Sequence, residues 1–491
     1  MARRTQAPQG PPPRDPPTLG GAAARPGAAG EAQGGTALIA GRALALTVRH
    51  FFPDLNAWLE DLPDTRDPDA VTYATRFLAW WGIALYLFQL GSRRQLDFDL
   101  DARGTCVLAN LNRLAGTAQD SRPVHDTLDY FLGQVPARAF AELRAKLVRR
   151  RLRMKALDAA RLLGRPVVLL DGTGLLCFHR RHCPHCLVQR HEKTTVYLHN
   201  VLEAKLLGPA GVVLSVASEF IANADADAAR GRGADQVKQD CELKAFDRLA
   251  PQLKAALPLT RLVLSGDSIF ACGRVFQACR DRGWSYVLTF KEGHMPAVWA
   301  DFQGLLPLCP ENVLERVLAD GTRQVYRWAR GLSYTDDEGR RWQFNALECA
   351  EASPDGTRTR FAWLTDLPVT RGTVVDIATK GGRHRWKIEN EGFNRQKNSG
   401  LNLCHVFSID PEKWKAYYYL LQIAFIITQL VERGSLLRQL AAELGRTPLQ
   451  LFGSLKNMAR RLLEAVRWLW LPAESFDAAA AERLKIRLDT S

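Results

Sequence analysis

Two aspartates stand where short apolar runs end. Pro166 to Asp171 (PVVLLD) and Leu262 to Asp267 (LVLSGD) each close on a carboxylate, the pattern by which a buried strand delivers an acid to a sheet edge. Either Asp alone is equally well a turn former or a helix cap. As a pair they suit metal-assisted phosphodiester chemistry, in which carboxylates hold two Mg²⁺ ions, or Mn²⁺ in their place, about 4 Å apart. One ion activates the attacking hydroxyl and the other stabilises the leaving oxygen. A third acid is expected from a helix packed on the same sheet, and Arg383 to Asn398 (RHRWKIENEGFNRQKN) offers Glu389 and Glu391. On a regular helix Trp386, Glu389 and Phe393 share a stripe, which places Glu389 on the inward apolar face and turns Glu391 roughly 200° away. Asp171, Asp267 and Glu389 are therefore the expected catalytic groups and Mg²⁺ ligands. The structural alternative is a buried Glu389 that merely pairs with Arg385 four residues earlier.

These acids need a scaffold, and the texture after Arg165 supplies one. Thr195 to Leu207 and Gly211 to Ile221 read as a hairpin around Gly208-Pro209-Ala210-Gly211, Asp235 to Leu253 and Cys272 to Arg282 as helices, and Ser285 to Lys291 as a strand. Strand, two hairpin strands, helix, strand, helix, strand is the ribonuclease H-like α/β order, in which the first and fourth strands end close together. The expected fold is thus α/β, a ribonuclease H-like mixed sheet with a β-rich insertion, preceded by an all-α unit. The boundaries follow composition: an Ala/Gly/Pro-rich disordered tail over 1–36, a helical DNA-binding domain over 37–160, and the first part of the catalytic core over 161–294. A β-rich insertion then covers 295–368, the second part of the core with the Glu helix 369–435, and a helical region 436–491.

The chain has 491 residues, with 66 Lys plus Arg against 52 Asp plus Glu and a formal charge of +14. That excess favours a polyanionic partner, foremost double-stranded DNA. Arg144 to Arg161 is dense in cations, and Arg150 and Arg151 are expected DNA contacts there, with a solvated helix face as the alternative. Lys291, Arg383, Arg385, Arg395 and Lys397 lie near the acids in sequence or expected structure and are further candidates for phosphate. Two apolar stretches, Tyr73 to Leu90 and Tyr417 to Val431, are interrupted by polar residues and read as buried helices rather than membrane spans. Ten Cys and no signal-like N-terminal segment point to reduced thiols in a cytoplasm. Cys183 and Cys186, in CxxC spacing, offer half of a structural zinc site, with His191, His199 and Cys241 as candidates to complete it. Unmetallated thiols or a redox pair are the alternatives.

Around its acids the chain resembles the DDE transposases of bacterial insertion sequences, in the class that carries a β insertion between the second Asp and the Glu. That class has a signature of Tyr, two residues, Arg, three residues, Glu, six residues, Lys. Arg385 and Glu389 match its central part, whereas Gly382 stands at the Tyr position and Gln396 at the Lys position, with Lys397 one residue later. WKIENEGFN, QDCELKAF and HCPHC share the same texture, and the resemblance covers roughly residues 160 to 430. It implies a Mg²⁺-dependent enzyme that nicks transposon ends and joins the freed 3′-hydroxyl to target DNA, acting as a homodimer on DNA in the bacterial nucleoid. A metal-dependent nuclease and a catalytically silent DNA-binding relative are the other functions compatible with the same residues.

Overall fold

The described residues of this computed structural model are 28–101, 103–223 and 239–488. Ten strands form one mixed sheet: β1 (Val167–Phe178), β2 (Leu187–Arg190), β3 (Thr195–Leu207), β4 (Val213–Ile221), β5 (Val263–Gly266), β6 (Ser285–Thr289), β7 (Val313–Val317), β8 (Arg323–Thr335), β9 (Arg341–Ala352) and β10 (Arg358–Thr365). Their order is β2-β3-β1-β5-β6-β10-β9-β8-β7, with β4 also paired to β3. β1, β5 and β6 run parallel at the centre, and the other pairings are antiparallel. The central strands are continuous apolar runs because both faces are covered: Val167 to Leu170, Val263, Leu264, Val287 and Leu288 are all fully buried. The register Val167↔Val263 to Leu169↔Ser265 sets the end of β5 beside the middle of β1, so Asp171 within β1 and Asp267 just after β5 lie at neighbouring points.

Among the described residues seven α-helices precede the sheet: α1 (Ala28–Phe51), α2 (Leu55–Glu60), α3 (Thr75–Leu87), α4 (Arg93–Asp99), α5 (Val107–Ala115), α6 (His125–Gln134) and α7 (Ala137–Arg153). Residues 1–27 of the expected tail lie outside the described residues, and residues 28–36 belong to α1 rather than to that tail. α8 (Glu242–Ala256) covers β3 and β4, α9 (Gly273–Arg282) packs on β6, and α10 (Pro296–Leu305) packs on β8. Of the helix expected from Asp235, residues 235–238 lie outside the described residues. The β-rich insertion begins with a helix, and it continues the core sheet because β10 pairs with β6 at Trp363↔Thr289 and Leu364↔Leu288.

The segment 374–398 crosses the central strands. It runs from α11 (Val374–Asp376) through wide π turns over Ile377–Gly382 and Ile388–Asn394 to α12 (Arg395–Asn398). The remaining helices are α13 (Pro411–Arg433), α14 (Ser435–Ala442), α15 (Pro448–Phe452), α16 (Leu455–Trp468) and α17 (Ala478–Glu482). α13 starts sharply, with Pro411 in its first turn and the Asp410 carboxylate accepting the Glu412 and Lys413 N–H groups. Both long apolar stretches are buried helices, α3 and α13, and among the described residues no helix is long and apolar enough to cross a membrane.

The N-terminal and C-terminal helices, expected as units over 37–160 and 436–491, pack on one another. α1 packs on α13, α14, α16 and α17, and Asn110 of α5 donates to the carbonyls of Val466 and Leu469 at 2.9 and 2.8 Å. One apolar cluster runs from Ile39 to Leu488 through the sheet. Composition alone could not show this, because the apolar faces of α1 and α16 are complementary to one another rather than closed within their own segments.

Candidate active site

Asp171 lies within β1, opposite Glu203 of β3, and Asp267 follows β5 directly. Asp267 caps the short helical turn Ser268–Phe270 by accepting the Ser268 N–H at 2.6 Å, which fixes its carboxylate at the end of the sheet. Glu389 comes from the first π turn after Ile388. Its nearest partner is Arg385, whose Nη1 lies 2.9 Å from Glu389 Oε1 and 3.5 Å from Asp171 Oδ2. The Arg385 charge also acts on Asp267, which Lys291 Nζ approaches to 3.5 Å. The three acids expected from sequence therefore gather around one guanidinium.

A fourth carboxylate joins them. Glu242, in the first turn of α8, interacts electrostatically with both Asp171 and Asp267. It approaches so closely over Gly172 that a β-carbon at position 172 would overlap its carboxylate. From sequence Glu242 falls inside a helix expected to begin at Asp235, whereas α8 begins at Glu242 and presents it at the sheet edge. The signal that could have found it is the glycine directly after Asp171, which leaves room for a side chain to cross the backbone.

The electrostatics follow from four carboxylates facing two cations, Arg385 and Lys291. Burial pushes the Asp171 carboxyl up to about 7; Arg385 opposes this, while Glu389 and Glu242 reinforce it. Glu242 is raised by burial and then by Asp267. Asp267 is also raised by burial, but the Ser268 N–H, Lys291 and Arg385 outweigh that and hold it below the usual carboxylate range. The donor set is all carboxylate oxygen, the kind that suits Mg²⁺ or Mn²⁺.

Glu389 reaches this position by a route other than the expected one. Its side chain is half exposed, Trp386 is 52% exposed, and the buried face is made by Ile388, Gly392, Phe393 and Gln396. The π turns break the regular 100° step on which the Trp386-Glu389-Phe393 stripe depended. Glu391 turns away to Arg395 and Arg433, at 3.6 and 3.9 Å. At the signature's Tyr position, Gly382 lies against the Trp363 indole, which a β-carbon would overlap, so no aromatic side chain fits. Gln396, at the Lys position, is buried, accepts from Lys205 Nζ at 3.1 Å and donates to Gln422 at 2.7 Å.

Beside the acids opens a cleft of about 350 Å³ lined by Asp267, Lys291, Phe361, Arg383, Arg385 and Trp386. Of the cations expected to meet DNA, Lys291 and Arg385 line it next to the acids. Arg383 also lines it but is held by Glu351 and lies 4.7 Å from the Phe361 ring centroid. Lys397 lies near Cys404, on whose thiol its charge acts. Arg395 is engaged by Glu432 and Glu391, with its side chain only 11% exposed, so it is a packing ion pair. Arg150 donates to Asp54 Oδ2 and to the Phe51 carbonyl, each at 3.1 Å, and lines a shallow depression with Lys146, Arg149 and Arg153.

Arg151 is a correction: it is fully buried, 3.8 Å from the Phe51 ring centroid, and cannot meet DNA there. Arg144, seven residues earlier and so on the same helix face, is buried as well, 3.8 Å from Glu203. That spacing, aligned with Phe140, Leu147 and Val148, was the available signal.

Cys183 and Cys186 come together with Sγ atoms 3.3 Å apart. Their companions are His199, one of the three candidates, and His182; His191 and Cys241 are not in the cluster.

No protein-family model matches the chain, and neither does any curated protein.

Proposed function

We propose that the protein is a DNA transposase, cutting transposon ends and joining the 3′-hydroxyl to target DNA on a ribonuclease H-like core. The observation that carries this reading is the gathering of Asp171, Asp267 and Glu389 about Arg385, with Asp171 and Asp267 delivered by adjacent parallel strands. The strand order β4-β3-β1-β5-β6, with only β1, β5 and β6 parallel, matches the ribonuclease H-like arrangement and supports the same reading.

Asp171, Asp267 and Glu389 would hold Mg²⁺ or Mn²⁺, with Glu242 close enough to assist. When bound, the ions supply activation of the attacking oxygen and neutralisation of the leaving one. The chain's own residues do the rest. Asp267 is fixed by its cap hydrogen bond, so its oxygens keep one direction while a substrate arrives. Arg385 neutralises the acids in the ion-free chain and lies where it can pair with a scissile phosphate once they have other partners. Lys291 and Arg383 flank the cleft and would position the duplex without reading its sequence. Trp386, exposed at the rim, offers a face on which a base can stack. Joining two ends calls for two active sites, so the proposal includes a dimer on DNA.

The test is cleavage of labelled duplexes that carry inverted repeats from the DNA flanking the coding region, with Mg²⁺ or Mn²⁺. The expected products are nicks at the repeat end, followed by covalent joining of the labelled 3′ end to a second duplex. Nicks without joining would favour a nuclease using the same acids. Binding without nicks, unchanged by Asp267→Asn, would leave a silent DNA-binding protein.

A further inference from the structure

We propose that His182, Cys183, Cys186 and His199 bind a single tetrahedral Zn²⁺ that staples the loop after β1 to β3. This site is separate from the carboxylate cluster, and its ligand chemistry is soft where the other is hard. Cys183 Sγ lies 3.4 Å from His199 Nε2, Cys186 Sγ lies 3.4 Å from His182 Nδ1 and 3.6 Å from His199 Nε2, and the two histidine Nε2 atoms are 3.3 Å apart. A tetrahedron with zinc bonds of about 2.3 Å to sulfur and 2.0–2.1 Å to nitrogen has edges of roughly 3.3–3.8 Å. Only one His182 nitrogen can be the ligand; whichever it is, four of the six edges already stand at about those separations, and the four donor atoms lie within 4.8 Å of one another. A disulfide is not what holds the sulfurs: their 3.3 Å separation far exceeds a bond of about 2.05 Å, and both cysteines are free.

The surroundings are those of a closed structural site. Cys186 is fully buried, the His182 ring lies 4.0 Å from Phe178, and the His199 ring lies 5.4 Å from Trp414 of α13. The loop backbone is tied independently. Asn223, just past β4, donates its N–H to the His185 carbonyl and its side-chain amide to the Cys186 carbonyl, both at 3.0 Å, while His185 Nδ1 meets the Asn223 carbonyl at 3.0 Å. Three ligands come from one short loop and the fourth from β3, whose His199 pairs in register with Leu176 of β1. Zinc there joins the far end of the strand that carries Asp171 to its neighbour, where β1 would otherwise run into a loop with exposed Arg180 and Arg181. All four protein ligands are present, so the site has no open position for catalysis.

The full chain should be produced in zinc-supplemented medium, purified without metal-chelate chromatography and assayed by elemental mass spectrometry. About one zinc per chain is expected. Cys183→Ser and His199→Ala should each lower it by about fivefold or more, whereas His191→Ala and Cys241→Ser should leave it unchanged. Should the ligand variants fail to fold, thiol labelling of the wild-type chain reads the same site, since Cys183 and Cys186 should be protected until a strong chelator is added. Zinc below about a tenth of an equivalent, a Cys183–Cys186 disulfide, chelator-independent labelling, or equal zinc loss in His191→Ala and His199→Ala would each overturn the proposal. None of these readouts involves DNA, so the outcome is independent of the transposase reading.

Discussion

Asp171 and Glu203 are cross-strand partners on one face of the sheet, yet they belong to two differently built charge clusters. Glu203 is fully buried and accepts from Ser218 and Tyr418, with Arg144 at 3.8 Å and Lys205 Nζ at 4.0 Å. Lys205, its charge disfavoured by burial and its pKa lowered to about 8, is held in turn by Gln396. That cluster is enclosed: its one carboxylate lies beside two cations and accepts from two hydroxyls, with Oε2 left without a donor. A strand's width away, four carboxylates lie near only two cations, Arg385 and Lys291, beside a cleft that Asp267 lines. The same residue types are structural where no carboxylate lacks a buried cation beside it. Where negative charge is left over, something from outside must match it.

The sharpest way to break this contrast is at the acids. Asp267→Asn should lower DNA cleavage at least about a thousandfold while leaving DNA binding and Tm nearly unchanged. An equal loss of binding would make Asp267 a packing residue like Glu203. Next in size is Glu203→Ala, which strands Arg144 and Lys205 in the core and should destabilise the chain by roughly 3–5 kcal/mol in a denaturant titration. A change within about 0.5 kcal/mol would mean that the buried cluster is not enclosed as described.

The Asp171 carboxyl sits at about 7 in the folded chain against an ordinary 3.8, so folding holds its proton more tightly than the unfolded chain does. That contribution is fully present below about pH 4 and is lost as pH rises through 7. With a chelator present, Asp171→Asn should therefore be more stable than wild type at pH 8, by on the order of 1–3 kcal/mol, and the gap should close towards pH 4. Added Mg²⁺ should stabilise wild type more than the variant. A pH-independent difference would remove Asp171 from the unbalanced cluster. The smallest effect on stability is expected for Gly172→Ala. The flexible Glu242 side chain can swing aside from the new β-carbon, so Tm should stay within about 2 °C while cleavage falls about tenfold. A large loss of Tm would show that Glu242 is anchored as rigidly as Glu203.

The elements that could be read from sequence are those whose cause is local. PVVLLD and LVLSGD are apolar because both sheet faces are covered, so their strand character was visible in the chain, but β1 runs past Asp171 to Phe178 rather than closing on that acid. What was hidden has non-local causes. The π turns around Glu389 arise from packing against β1 and β4, and nothing in RHRWKIENEGFN announces them. Glu242 belongs to the site only because α8 crosses over Gly172. Arg151 looks like any other cation of a basic helix until Phe51, a hundred residues earlier, takes its face. His182 stands next to Cys183, a spacing that a strand or helix would send in different directions but a loop can fold onto one point.

The interlocking of the two ends of the chain bears on its synthesis. α1 finds its partners in α16 and α17, about 400 residues later, and a ribosome adds roughly 5–20 residues per second. For some 20–80 s α1 therefore waits for these partners, and the shared core closes only after α16 and α17 have been made. A truncation that removes α16 and α17 would leave α1 covered only by α13 and α14, however complete the sheet and its acids.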